Sequence, residues 1–267
     1  MDELKANKCS SFQGELGAYD VVTTEDGSIT LHSAYFDENC HSLSGAAMET
    51  QYNYLEGCLV DQSIRSGEEL TVFEVGLGLG IGPKITIDYW LNHKKAPLTF
   101  VSTELDKALV EFAKETFKES EYFQKLQYLE QDDLCYFQYL NEKLNFIILI
   151  GDARETTIKA FKKGHFSAVK AIYQDAFSPK KNPALWTVEW FLTLKEISHS
   201  KVVLSTYSSA KRIRKSLIQA GFHVQNREGF GAKKVATLAT LEGVSDEDVL
   251  SSLERSPVCA LVDRDLA

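Results

Sequence analysis

The sequence predicts an α/β fold, a mostly parallel seven-stranded sheet with a small N-terminal β-hairpin and helix attached. Three observations lead there. From position 70 onward, short apolar runs alternate with stretches of helical periodicity, the pattern of parallel strands joined by crossover helices. The first of these runs ends in a glycine-rich turn, Gly76-Leu77-Gly78-Leu79-Gly80-Ile81-Gly82-Pro83. The length of 267 residues and a hydrophobic content of 44% suffice for one large core.

In chain order, residues 1–16 lack periodicity and are expected to form a loose end. Residues 17–66 form the appendage: β-branched runs at 19–24 and 29–33 flank the Asp26-Gly27 turn of a hairpin, and 44–57 suits a helix. Residues 67–243 hold the sheet, with strands expected at 70–75, 98–103, 145–150, 168–173, 201–207, 223–227 and 235–240. The last two follow Gly221 and flank Gly229 and Gly231, so they read as an antiparallel hairpin closing the sheet. A tail at 244–267 opens with the helix-capping pattern Ser245-Asp246-Glu247-Asp248.

Composition narrows the function. No apolar run reaches the ~18 residues a membrane span needs, and the start Met1-Asp2-Glu3-Leu4-Lys5 is unlike a secretory signal, so a soluble cytoplasmic chain is expected. Five scattered cysteines fit reduced thiols, and with no Cys-x-x-Cys or clustered histidines no metal is expected. The net charge of −9 is unevenly spread. Residues 1–150 carry 11 Lys+Arg against 25 Asp+Glu, residues 151–240 carry 16 against 6, and residues 241–267 carry 2 against 7. The basic middle segment is either a polyanion footprint or a set of solvated helix faces.

The glycine turn is the first motif with chemistry in it. Glycines allow a tight turn and close backbone approach, and Pro83 suits a first helical turn. A dinucleotide fingerprint needs glycine where Ile81 stands, and a P-loop needs the missing Gly-Lys-Ser/Thr. What remains, Glu74 two residues before Gly76, Gly78 and Gly80, resembles the first motif of class I S-adenosylmethionine-dependent methyltransferases, a Rossmann-like fold. The resemblance implies that Glu74 organises contacts to the cofactor's ammonium, directly or through water. It also implies that Glu104, ending the second strand, accepts the ribose hydroxyls, and that Asp152 holds the adenine amine beside the backbone N–H of Ala153. Acids at successive strand ends lie on the edge where open α/β sheets bind ligands.

Asp175 closes the fourth strand and opens the block Asp175-Ala176-Phe177-Ser178-Pro179-Lys180-Lys181-Asn182-Pro183-Ala184-Leu185-Trp186. This block resembles the methyltransferase half of the bacterial bifunctional enzyme MnmC and its stand-alone relatives, which complete 5-methylaminomethyl-2-thiouridine at the tRNA wobble position. The resemblance runs from about position 35 to 243 and is also carried by Glu49-Thr50-Gln51-Tyr52-Asn53-Tyr54-Leu55-Glu56-Gly57, Thr206-Tyr207-Ser208-Ser209-Ala210 and Gly229-Phe230-Gly231-Ala232-Lys233-Lys234. The bifunctional enzymes tend to have glycine and alanine where Ala176 and Ser178 stand, and they continue into an oxidase domain. This chain ends at Ala267, so methylation alone is expected, with upstream wobble-uridine modification enzymes supplying the aminomethyl group.

The resemblance implies that Asp175 aims the accepting amine and counters the charge that forms on it. Phe177 either packs the flipped-out uracil or plugs the strand-end core. Lys180, Lys181, Lys211, Arg212, Arg214, Lys215, Lys233 and Lys234 are the expected contacts to phosphates of the tRNA anticodon stem-loop. Two other readings stay open. An aminopropyltransferase of the spermidine synthase type shares the sheet and an Asp-Ala pair after its fourth strand, and His41-Ser42 faintly resembles it, although the glycine loop differs. A non-catalytic S-adenosylmethionine- or tRNA-binding module is the third.

Overall fold

The computed structural model describes residues 11–93, 96–231 and 234–266. All seven expected strands are present: β5 (Leu70–Val75), β6 (Leu98–Glu104), β9 (Leu144–Ile150), β10 (Val169–Gln174), β11 (Ser198–Thr206), β12 (His223–Glu228) and β13 (Val235–Thr240). Two more, β7 (Gln127–Gln131) and β8 (Leu134–Leu140), widen the sheet to nine strands among the described residues. The order is β12-β13-β11-β10-β5-β6-β9-β8-β7. The five central strands are parallel, and an antiparallel hairpin closes each side. The added hairpin turns at Asp132-Asp133, both at positive φ, in a two-residue loop. That geometry normally shows itself as Asn-Gly or Asp-Gly, and its absence hides the hairpin from a sequence reading.

The central strands are buried on both faces because alternate side chains enter two cores. Val72, Phe100, Phe146 and Ala171 face one core; Phe73, Val101, Ile147 and Ile172 face the other. The crossover helices are α3 (Ile81–Leu91), α4 (Lys107–Thr116) with the short α5 (Glu121–Gln124), α6 (Ala153–Lys162), α7 (Val188–Glu196) and α8 (Lys211–Gln219). Connections run outward in both directions from the β5/β10 pair. This is the switch point at which open α/β sheets leave a crevice.

The appendage is a four-stranded antiparallel sheet, β1 (Ser11–Gln13), β2 (Ala18–Thr23), β3 (Ile29–Ser33) and β4 (Glu38–Asn39), followed by α1 (Ala46–Thr50) and α2 (Val60–Ser66). The loose end expected over 1–16 is corrected over 11–16, where β1 pairs with β2, while residues 1–10 lie outside the described residues. Asp106 is the reason this segment is ordered. Its buried carboxylate accepts from the backbone N–H groups of Glu15 and Leu16 and from the Tyr19 hydroxyl, and it also caps α4.

The helix expected over 44–57 begins as α1 and widens into a π-helical segment, Gln51–Glu56, a local irregularity common at functional sites. Its carbonyl at Asn53 accepts from the Ser205 hydroxyl at 2.5 Å and from Arg227 at 3.4 Å, which fastens the segment to β11 and β12. Gly57 makes that fit possible, since a Cβ there would lie 1.9 Å from the Asn53 carbonyl oxygen and 2.0 Å from the Arg227 guanidinium. The tail forms α9 (Glu247–Glu254) and then runs back over α8 to the start of α7, where Val188 N–H donates to Leu261 O at 2.8 Å. Substituting Gly57→Ala is expected to destabilise the protein by about 2 kcal/mol through overpacking, measured as a lower urea midpoint at unchanged slope.

Candidate active site

The crevice at the β5/β10 switch point holds a cavity of about 300 Å³. Gly76, Gly78, Glu104, Asp152, Ala153, Asp175 and Phe177 line it, so the carboxyl ends of β5, β6, β9 and β10 converge as the sequence predicted. Gly76, Gly78 and Gly80 all take positive φ. The Gly78 N–H donates to Glu104 Oε2 at 3.2 Å, while Leu105 and Asp106 N–H donate to Oε1. Burial nevertheless pushes the Glu104 carboxyl up to about 7, against the lowering effect of those donors. Asp152 commits Oδ1 to the N-cap of α6, accepting from Arg154 N–H at 2.9 Å.

Two of the predicted cofactor residues sit elsewhere. Glu74 is 3% exposed and does not line the cavity. Its carboxylate lies beneath the loop, accepts from the Ser102 hydroxyl at 2.6 Å and presses on Gly82, where a Cβ would fall 1.7 Å from Oε1. Burial above all, then the Asp175 and Glu104 charges, hold its pKa well above the ordinary carboxylate range. Gly80 also leaves the cavity: it starts α3 and abuts Phe123 and Ala113. Both shape the loop from behind.

Asp175 is held by a residue that single-residue reasoning missed. Tyr54, carried by the π-helical segment and 1% exposed, donates its hydroxyl to Asp175 Oδ1 at 2.5 Å. That is the length of a charge-assisted bond. Burial, followed by the Asp175 charge, raises the phenol far above its usual pKa, so Tyr54 remains a donor. The only hint in the sequence was the motif spanning 49–57, whose period does not reveal which side chain reaches the sheet. The loop after Asp175 is fixed through its carbonyls: Tyr207 donates to Ala176 O and Trp186 Nε1 to Phe177 O, both at 2.8 Å.

A strap from the appendage, residues 35–41, roofs the crevice. Phe36 stacks on Phe177 with ring centroids 4.3 Å apart. Glu38 accepts from Ser178 N–H at 2.9 Å, and Asp37 pairs with Lys181 at 2.8 Å. Under the strap lies a second cavity, about 280 Å³, that shares Cys40, His41, Asp175, Ala176 and Phe177 with the first. Glu38, Glu49 and Tyr207 line only this second cavity. Asp175 therefore stands at the junction of two chambers. His41, pulled down to about 4 by burial, is neutral there.

On α8 the expectation is corrected for Arg214, while Lys211 and Arg212 stay exposed and are engaged, with Lys215, by the tail. Arg214 is 8% exposed and donates to Thr237 Oγ1 and Ala236 O, so it locks α8 to β13. Lys211 and Lys215 donate to the carbonyls of Ser252 and Ser256, and Arg212 pairs with Asp265. The acidic tail takes these cations. Lys180 and Lys234 are exposed, and Lys181 lines the first cavity; Lys233 lies outside the described residues.

The donor set decides what fits. Glu104 and Asp175 line the first cavity, the buried Glu74 lies behind its loop, and the one lysine among its described lining residues is paired with Asp37. Such a chamber repels phosphates and suits a cationic nucleoside, with Glu104 placed for hydroxyl donors and the Gly76–Gly78 backbone for close approach. The comparisons agree. Residues 114–242 match the family described as S-adenosyl-L-methionine-dependent methyltransferase. The tRNA 5-methylaminomethyl-2-thiouridine biosynthesis bifunctional protein MnmC of Leptospira interrogans is 28% identical over 250 residues, 89% of this chain, which spans 37% of that protein's length. An uncharacterised protein of Methanocaldococcus jannaschii is 29% identical over 223 residues, 82% of this chain and 58% of its own. The crystal structure of MNMC2 from Aquifex aeolicus matches with a TM-score of 0.74 at 25% identity, over 94% of this chain and 80% of that one. The fold, the acid-lined crevice and these relatives agree: residues 114–242 match an S-adenosyl-L-methionine-dependent methyltransferase family, and the chain is similar over most of its length to MnmC proteins.

Proposed function

We propose that the protein methylates the exocyclic amine of 5-aminomethyluridine, with or without a 2-thio group, at the wobble position of tRNA. The observation that carries this reading is the second chamber, lined by Glu38, Glu49 and Asp175 and meeting the first at Asp175. An alkylamine arrives as an ammonium, since its pKa lies near 10, and no lysine or arginine is among the described residues lining that chamber. The bifunctional relative's name supplies the nucleoside. When bound, S-adenosylmethionine supplies a methyl group on a cationic sulfur. Asp175, fixed by Tyr54, then orients the amine and balances the charge of the methylated ammonium. Phe177, already stacked on Phe36, is placed to pack against the uracil. Lys180 and Lys234 are the contacts left to backbone phosphates of the anticodon stem-loop, since Lys181, like Arg212, is paired with an acid.

An acid-lined chamber also suits a diamine, so the decisive experiment offers labelled S-adenosylmethionine with tRNA carrying 5-aminomethyluridine, and decarboxylated S-adenosylmethionine with putrescine. Methylated nucleoside from the tRNA and no product from putrescine is the expected outcome; the reverse refutes the proposal. In the same assay Asp175→Ala should abolish most turnover while leaving S-adenosylmethionine affinity nearly intact. Tyr54→Phe removes a charge-assisted bond of about 1.5–3 kcal/mol, so kcat should fall roughly tenfold to a hundredfold at unchanged cofactor Kd.

Glu104 sets a pH dependence of binding. Its carboxyl is raised to about 7, and only the ionised form accepts two hydroxyl hydrogens. Below that pH the group must give up a proton for the cofactor to bind, so affinity should weaken with acidity, by up to about tenfold per unit. Calorimetric titration between pH 5.5 and 8.5 should show this slope, and Glu104→Gln should flatten it.

A further inference from the structure

The motif spanning 49–57 contributes Tyr54 to the site, and its first residue, Glu49, lines the second chamber with no chemical step assigned to it above. Glu49 is a carboxylate only 6% exposed, placed on α1. A buried carboxylate is costly to maintain, and this one lines the second chamber without lining the first. Its Oε2 accepts from the Ser42 N–H at 2.7 Å, which fixes its direction. Asp175, by contrast, lines both chambers, and its Oδ1 is occupied by the Tyr54 hydroxyl.

We infer that Glu49 is the proton acceptor for the substrate amine, an inference that rests on the amine-methylation reading. The ammonium has no lone pair with which to attack, so an N–H bond must break before the N–C bond forms. Its electron pair stays on nitrogen, an O–H bond forms on the Glu49 carboxylate, and the proton passes to water once product leaves. Asp175 is the weaker candidate for that step. Its Oδ1 is taken up by the Tyr54 hydroxyl, and Asp175 stands at the junction, where the lone pair must be aimed. The two acids thus divide the work: Asp175 aims the nitrogen and Glu49, on the far side of the amine from the cofactor chamber, takes its proton.

Of the other titratable groups at this chamber, Glu38 is the rival that the control below separates from Glu49. Glu38, on β4, accepts from Ser178 N–H and ties the strap to the loop. Cys40 keeps its thiol proton because burial raises its pKa. His41 is neutral, with Nδ1 at 3.1 Å from Thr30 Oγ1. Tyr207, and Tyr54 which reaches Asp175 without lining the chamber, remain phenols, raised by burial first and by the Asp175 charge second.

Glu49→Gln is the test, because the amide oxygen can still accept from Ser42 and the shape is kept. Turnover is measured from pH 6 to 9.5 with labelled S-adenosylmethionine and tRNA carrying 5-aminomethyluridine, alongside cofactor Kd and a Glu38→Gln control. At pH 7 the Glu49→Gln variant should lose about a hundredfold in kcat, recover most of it towards pH 9.5 as the free amine becomes abundant, and bind cofactor as the wild type does. A wild-type rate and pH profile in Glu49→Gln overturns the inference. A loss that high pH does not recover, or the same pH-rescued loss in Glu38→Gln alone, also overturns it. A wild-type protein inactive on this tRNA refutes the proposed function itself, and the inference with it.

Discussion

Crowding carboxylates into the end of one sheet is the constraint from which most of the local structure follows. Burial raises the carboxyls of Glu74 and Glu104, and the Asp175 and Glu104 charges push Glu74 further in the same direction. In such surroundings a carboxylate without donors protonates and is lost as a recognition element. The fold answers with a donor for each: the Ser102 hydroxyl for Glu74, three backbone N–H groups for Glu104, and the Tyr54 phenol for Asp175. The glycine loop is part of this answer. Its positive-φ turn directs the Gly78 N–H at Glu104, and Gly82 leaves room for the Glu74 carboxylate.

The appendage is therefore half of the site. The sheet supplies the wall on which a nucleoside cofactor rests, but Glu38, Cys40, His41 and Glu49 of the second chamber all come from before β5. Two anchors hold that half in register. Asp106 gathers the chain around β1 and β2 while capping α4. Asn53 ties the π-helical segment to β11 and β12 through Ser205 and Arg227. With both ends fixed, the strap between them crosses the crevice, and the Phe36–Phe177 stack closes it.

The sequence was most legible where a local pattern and the tertiary structure agree. Of the seven predicted strands, all present, β5, β6, β9 and β10 are buried on both faces and read as apolar runs, whereas the half-exposed β12 was legible from the glycines around it. The acids at their ends were visible because a strand end fixes where a side chain points. The β7/β8 hairpin was missed because β7 is largely exposed and its turn has no glycine. Glu74 and Gly80 were placed in the cavity because spacing reports distance along the chain and not on which side of a loop an atom falls. Tyr54 was hidden for a related reason: a π-helical segment breaks the 3.6-residue period from which facing is inferred.

The correction to the basic segment sharpens the electrostatic argument. Charge counted along the chain cannot show that the acidic tail folds back on α8, where Asp265 and the carbonyls of Ser252 and Ser256 take Arg212, Lys211 and Lys215. What remains is a small set: Lys180 on the turn after Asp175, and Lys234 in the hairpin whose Gly231 abuts Ser44. Cations thus lie on the loops around the chambers and carboxylates lie within them. For a substrate bearing many phosphates and one ammonium, this arrangement orients before it binds. Under the proposed function, phosphates would be held at the rim and turned away from the interior, while the ammonium would be the part of such a molecule that gains by entering. On that reading the rim lysines and the buried acids, which look contradictory in a net charge of −9, would act together as one positional filter.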